Sequence, residues 1–198
     1  MLVFVKRCFG LCLFGMLPFT LSAQQFEPLD VKGKALFHGE RVYGLDSMAK
    51  LAAVAGVLQL QNAPEEWGHG GAAYGKRLGA TVGYEAIRST LAFGLDTTLH
   101  QDPRYFRSTS TNFWRRTGHA LRGTVITHKD DGRETFSTWA VGSAFGAAYL
   151  SNMWVPDRLN TVGLGAKEGS LQLVFDFASN MRREFWADIK QKFQHRKP

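Results

Sequence analysis

Glycine recurs at every fourth position of GAAYGKRLGATVG, at Gly71, Gly75, Gly79 and Gly83. The stretch has no proline and good helix formers on both sides, so it reads as helix. Yet each glycine costs up to about 1 kcal/mol against alanine in a helix interior. Costs repeated at one spacing need an offset. At about 100° per residue the four glycines share a sector with Ala72, Val82, Ala86 and Thr90, and Arg77 and Arg88 fall on the opposite side. The pattern predicts a small-residue stripe that another helix backbone approaches closely, backed by charge turned outward. The same spacing returns at Gly142 and Gly146, beside Ala140, Ala144 and Ala148, and at Gly165 and Gly169. A chain built this way is constrained to close helix-on-helix packing, which occurs both in water and in membranes.

Around these stripes the sequence reads as helices parted by polar turns. A flexible polar leader is expected over residues 24–41. Asp46 or Ser47 can then cap a helix over MAKLAAVAGVLQLQN that stops before Pro64. The glycine helix follows from about residue 70 to 99, and Asp102 with Pro103 can open a short turn. FWRRTGHALRGTVI repeats apolar or small residues at Phe113, Thr117, Leu121 and Val125, and HKDDGRE reads as a polar turn. Ser137 is placed to cap a helix over STWAVGSAFGAAYLSN, and the loop MWVPDRLN leads to a last helix carrying Leu171, Phe175, Ala178, Phe185 and Ile189. Strand alternation is nowhere sustained. The prediction is an all-α, single-domain bundle of about five helices over residues 42–190, with a basic tail at 191–198.

The opening MLVFVKRCFGLCLFGMLPFTLSAQQ has basic residues at Lys6 and Arg7, an apolar run from Cys8 to Leu21 and a small-residue exit at Ser22 and Ala23. This is the pattern of a secretory signal peptide over residues 1–23, and its apolar run is shorter than the ~20 residues a spanning helix needs. Both cysteines, Cys8 and Cys12, lie inside it, so the mature chain is expected to be exported without disulfide or thiolate chemistry. Of 24 Lys and Arg, only Lys6 and Arg7 are in the signal peptide, against 17 Asp and Glu in the chain. For an exported protein that surplus points to anionic lipid headgroups, lipopolysaccharide or acidic polymers before nucleic acid. The uncharged stretch from Thr135 to Pro156 is long enough to span a bilayer but only mildly apolar, which favours a buried helix.

One segment suits a lipid headgroup edge. Arg104, Arg107, Arg115, Arg116 and Arg122 are interleaved with Tyr105, Phe106, Phe113 and Trp114, and such mixtures seat aromatics in the interfacial zone while arginines reach phosphates. The partners expected are therefore a membrane surface or anionic lipid, with a homo-oligomer through the glycine faces left open, and no nucleic acid. The function expected is non-enzymatic, structural or scaffolding work or the binding of anionic lipid, and the competing class is a soluble periplasmic phosphoester hydrolase using His100, Asp102, Arg104 and Arg107. His100 with Asp102, and His128 with Asp130 or Asp131, are His-x-Asp pairs, but neighbouring Arg and Lys oppose a cation, so no metal is expected. The sequence contains no G-x-S-x-G elbow, P-loop or HExxH, and no cofactor is expected.

YGKRLGA, HQDPRYF and YLSNMWVP, in this order, resemble the landmarks YGKR-G, DPRYF and SN-x-(Y/W)-x-P of an uncharacterised family of exported bacterial glycine-rich helical proteins. The resemblance runs from about Trp67 to the last helix, and DPRYF is its most specific piece. It implies an exported, glycine-rich helical protein and brings no catalytic residue with it; the location expected from the whole sequence is the cell envelope, in the periplasm or at the outer membrane. His119 departs from the more apolar stretch the resemblance leads one to expect there.

Overall fold

The structure, a computed structural model, describes residues 26–194. The signal peptide assigned to residues 1–23 and the tail residues 195–198 lie outside the described residues. Helix α1 (Val31–Tyr43) starts where the Asp30 carboxylate accepts a hydrogen bond from the Gly33 N–H at 2.7 Å, a cap worth about 1 kcal/mol. Most of the segment expected to be a flexible leader is thus helical. The reason is tertiary: Lys34, His38 and Arg41 share one face of α1 and reach Asp130, Asp96 and Glu85, which no local pattern reveals.

Gly44 separates α1 from α2 (Leu45–Leu60), which ends before a loop holding one 3-10 turn at Glu65–Trp67. Helix α3 (Gly71–Thr98) is the longest element before the final helix. His100 turns the chain through a left-handed conformation, φ 53°, into β1 (Gln101–Asp102). An irregular run follows to Asn112, whose side chain accepts from the Arg115 N–H and caps α4 (Phe113–Val125). Helix α4 passes directly into β2 (Ile126–Lys129), which pairs antiparallel with β1 and with β3 (Glu134–Phe136). Ser137 stands at the N-cap of α5 (Thr138–Ser151), although its side chain makes no capping bond. Two 3-10 turns, Asn152–Trp154 and Asp157–Leu159, lead to α6 (Val162–Gln194).

The chain is an all-α bundle with one small sheet at its edge. HKDDGRE is more than a turn: it supplies most of the β2–β3 hairpin, with register Ile126 opposite Phe136 and His128 opposite Glu134. Strands this short leave no alternation to read. Gly132 sits in the hairpin turn at φ 84°, a conformation that favours glycine. Helix α3 is central and packs on α1, α2 and α5, while α6 packs on α5 and α4.

The glycine rows divide into two groups. A Cβ at Gly142 or Gly146 would come within 2.9 Å of the Leu95 or Leu91 side chain, one at Gly165 within 2.5 Å of the Tyr149 ring, and one at Gly169 would overlap the Phe145 ring. These positions are holes into which neighbouring side chains fit, on the α3–α5 and α5–α6 contacts. Along α3, by contrast, a Cβ at Gly71, Gly75 or Gly79 would meet nothing within 4 Å, and one at Gly83 only Trp154 at 3.8 Å.

The opposite face of α3 corrects the sequence reading. Arg77 and Arg88, expected on a charged outer back, are 0% and 1% exposed. Arg77 reaches the carbonyl oxygens of Ala63, Pro64 and Gly68 and the side chains of Gln59 and Asn62, while Arg88 pairs with Asp176 at 2.6 Å. Arg77 is buried among enough acceptors and Arg88 against an ion-pair partner, although the Arg88 Nε has no acceptor among the described residues, and the small-residue side is then the one left outside. The same inversion runs through the molecule. The bulkiest fully buried side chains include Arg77, Arg88, Lys34 and Glu184, whereas Leu45, Leu60, Trp114, Phe175 and Trp186 are exposed. Among the described residues no helix is long and apolar enough to cross a membrane.

Candidate functional site

Helix α4 is the element on which the arginine and aromatic segment converges. Its inward face carries Arg116, Ala120 and Thr124, and its outward face carries Trp114, Leu121 and Val125, with Trp114 77% exposed. Amphipathic helices in water usually turn their apolar stripe to the core. This one turns it away, because the inward positions are taken by polar groups with fixed partners on α6. The Arg116 Nε donates to the Glu184 Oε1 at 2.9 Å, its Nη1 donates to Asp188 and its Nη2 to the Glu184 carbonyl. The Asn180 amide reaches the Ala120 carbonyl and the Thr124 hydroxyl, each at 3.4 Å.

The Glu184 carboxylate also accepts from the Tyr105 hydroxyl at 2.7 Å and the Ser108 N–H at 3.1 Å. Burial pushes its pKa up, but the bonds from Tyr105, Arg116 and Ser108 outweigh burial and hold it below the usual carboxylate range. Tyr105 is shifted up, first by burial and then by its bond to this carboxylate. Asp188 is held low mainly by its hydrogen bond from Arg116, with Arg107 helping.

The five arginines expected to meet lipid are therefore not five free cations. Arg104 grips the buried Asp102 carboxylate through Nε at 2.9 Å and Nη2 at 2.6 Å, and also reaches the Glu27 carbonyl at 2.5 Å. Arg107 pairs with Asp188 at 3.3 Å, Arg116 is buried as described, and Arg122 pairs with Glu134 at 2.6 Å. Arg115 is exposed and has no carboxylate partner among the described residues. Positive charge facing outward from α4 thus comes from Arg115 and from the exposed but paired Arg122.

No family model, no curated protein and no solved structure matches this chain.

The residues of the hydrolase alternative are held in separate pairs. His100 is exposed and lies 3.6 Å from Asp130, Asp102 is consumed by Arg104, and Arg107 faces Asp188. His119 Nε2 lies 2.9 Å from the Phe106 carbonyl, with its ring beside Tyr105. It serves as a polar tie between α4 and the run before it. The structure also assembles a cluster that sequence reading missed. Lys34 Nζ donates to both Asp130 oxygens at 3.0 Å and to the Asp96 carbonyl at 3.2 Å, and His38 Nε2 lies 2.6 Å from Asp96 Oδ2. The signal available was the spacing of Lys34, His38 and Arg41, which places three bases on one helical face.

The quoted landmarks also fall on such ties. Arg77 of YGKR holds the loop after α2, Asp102 and Arg104 of DPRYF pair with each other while its Tyr105 meets Glu184, and Ser151 and Asn152 are buried where α5 ends.

Proposed function

We propose that this is a non-enzymatic, exported helical protein of the cell envelope that lies on an anionic membrane surface through the outer face of α4. The observation that carries the reading is the inverted polarity of that helix: Arg116 inside on Glu184, and Trp114, Leu121 and Val125 outside, flanked by Arg115 and Arg122. Trp at the headgroup level with arginines beside it is the arrangement of an interfacial helix. The exposed apolar residues of α2 and α6 and the buried charges of the interior support the same reading. Exposed apolar surface of this kind marks a face that meets a membrane or a partner. The export leader and the resemblance to exported helical proteins agree with it. So does a scaffolding role, in which the open glycine row of α3 would be free to receive a second copy.

Since four of the five arginines already have carboxylates, apolar insertion supplies most of the binding. Each unpaired basic residue adds about 1 kcal/mol near an anionic surface. Sedimentation with vesicles tests this. The protein is expected to bind phosphatidylglycerol-containing vesicles more tightly than neutral ones, to weaken without full release at 1 M salt, and to lose binding when Trp114 and Leu121 are both changed to Ser. Equal behaviour of that double variant and the parent, or no sedimentation with either vesicle, would sink the reading.

A further inference from the structure

Between the N-terminal end of α4 and the last turns of α6 runs a groove of about 250 Å³. Phe113, Phe185 and Ile189 make its apolar lining, and Thr111, Asp188 and Lys192 stand along its polar edge. The floor is firmly built. The Phe113 and Phe185 rings pack at 5.2 Å, and the Arg116 guanidinium lies over the Phe185 ring at 4.3 Å while its nitrogens hold Glu184 and Asp188. Phe113 is 53% and Ile189 44% exposed, and nothing among the described residues covers them. The volume is several times the ~30 Å³ share of one water and below the ~300–1,000 Å³ of ordinary ligand pockets. An apolar groove of this size suits one narrow apolar chain.

Charge at the edge picks the sign of the ligand. Arg107 and Arg116 are balanced by Asp188 and Glu184. Lys192 lines the groove and has no carboxylate partner among the described residues, so the edge carries one uncompensated positive charge. We propose that the groove takes the acyl chain of a single-chain anionic amphiphile, with its headgroup at Lys192 and Thr111. The proposal rests on the lipid-surface reading and names the molecule that this corner of the surface would hold.

Dodecyl phosphate below its micelle-forming concentration, titrated calorimetrically into the full chain, is the probe. Saturable binding is expected, weakened about tenfold or more by Ile189→Trp, which fills the groove, and by Lys192→Glu, which reverses its edge. Inorganic phosphate alone and dodecyltrimethylammonium are expected not to bind. Both substitutions are at exposed positions, and far-UV circular dichroism of each variant checks the fold. Equal binding of the cationic amphiphile, or wild-type affinity in both variants, overturns the proposal. The two readings fail separately. Vesicle binding that persists while dodecyl phosphate is ignored removes the groove alone. Retained dodecyl phosphate binding by a protein that ignores vesicles removes the surface reading and leaves the groove.

Discussion

Arg77 on α3 and Arg116 on α4 are both turned to the inside of the bundle, but their cages differ. Around Arg77 every acceptor is neutral: the carbonyls of Ala63 and Gly68 at 2.9 Å, that of Pro64 at 2.9 Å, and the side-chain oxygens of Gln59 and Asn62. All of them come from the end of α2 and the loop that follows, so this arginine folds a local loop onto its own helix. Around Arg116 the side-chain acceptors are carboxylates of α6, far away in sequence. Neutral dipoles hold a cation without a titrating partner, whereas an ion pair between distant helices depends on two charges staying charged. The first cage organises a turn, and the second fixes tertiary arrangement.

The comparison breaks most visibly at Arg116. Replacing it with Met leaves the Glu184 carboxylate, fully buried, with only Tyr105 and Ser108 as donors. Removing one member of a buried pair costs about 3–5 kcal/mol. Urea unfolding should show a loss of that size for Arg116→Met, and a smaller one when Glu184 is changed to Met in the same chain. A double variant no more stable than the single one would mean that Glu184 tolerates burial alone.

Arg77→Met is expected to cost less, about 2–3 kcal/mol, even though more hydrogen bonds are lost. The freed carbonyls belong to a loop next to solvent, and the loop can open to hydrate them. Limited proteolysis should therefore cut the variant first between residues 61 and 70. Cleavage elsewhere, or a loss matching that of Arg116→Met, would contradict a local role.

Sequence made the helices legible where local signals stand at their ends, Pro64 after α2 and Ser137 before α5, although the Ser137 side chain makes no capping bond and the Asn112 cap of α4 emerges only in the structure. It did not reveal which side of α3 faces inward. Small residues and buried arginines compete for the interior, and the contest is decided by the carbonyls of residues 63–68, which acquire their positions only on folding. Helix α1 was missed for a similar reason, since its bases find their acids on α3 and the hairpin. The segment expected to touch lipid is legible in sequence as an arginine and aromatic cluster. That four of its arginines face carboxylates of this same chain could not be read from spacing alone.

On α3 the face opposite Arg77 gives a smaller effect with a reversed sign. At Gly79 an added methyl meets open space, so Gly79→Ala should stabilise by about 0.5–1 kcal/mol through helix propensity alone. Gly169→Ala on α6 should destabilise, because its methyl would overlap the Phe145 ring. Thermal unfolding of the two variants compares them directly. Loss of stability in both would show that the α3 row is packed against something, a second copy of the chain being the first candidate, and a concentration-dependent midpoint would identify it.

The smallest effect separates the two cages by pH. The Asp188 carboxyl is held below its ordinary value of about 3.9, chiefly by the hydrogen bond from Arg116. A lowered folded-state pKa contributes stability that is present above the ordinary value and is lost as pH falls through the folded one, because the unfolded chain takes up the proton first. Asp188→Asn removes that contribution at pH 7. The difference in urea midpoint between wild type and this variant should hold steady from pH 7 to about 5 and close below about 3.9. The difference between wild type and Arg77→Met should stay constant across the same interval, since none of the acceptors that variant abandons takes up a proton there. If the Arg77 difference closed in step with the Asp188 one, its cage would contain a titrating group, and the contrast between neutral and ionic cages would fail.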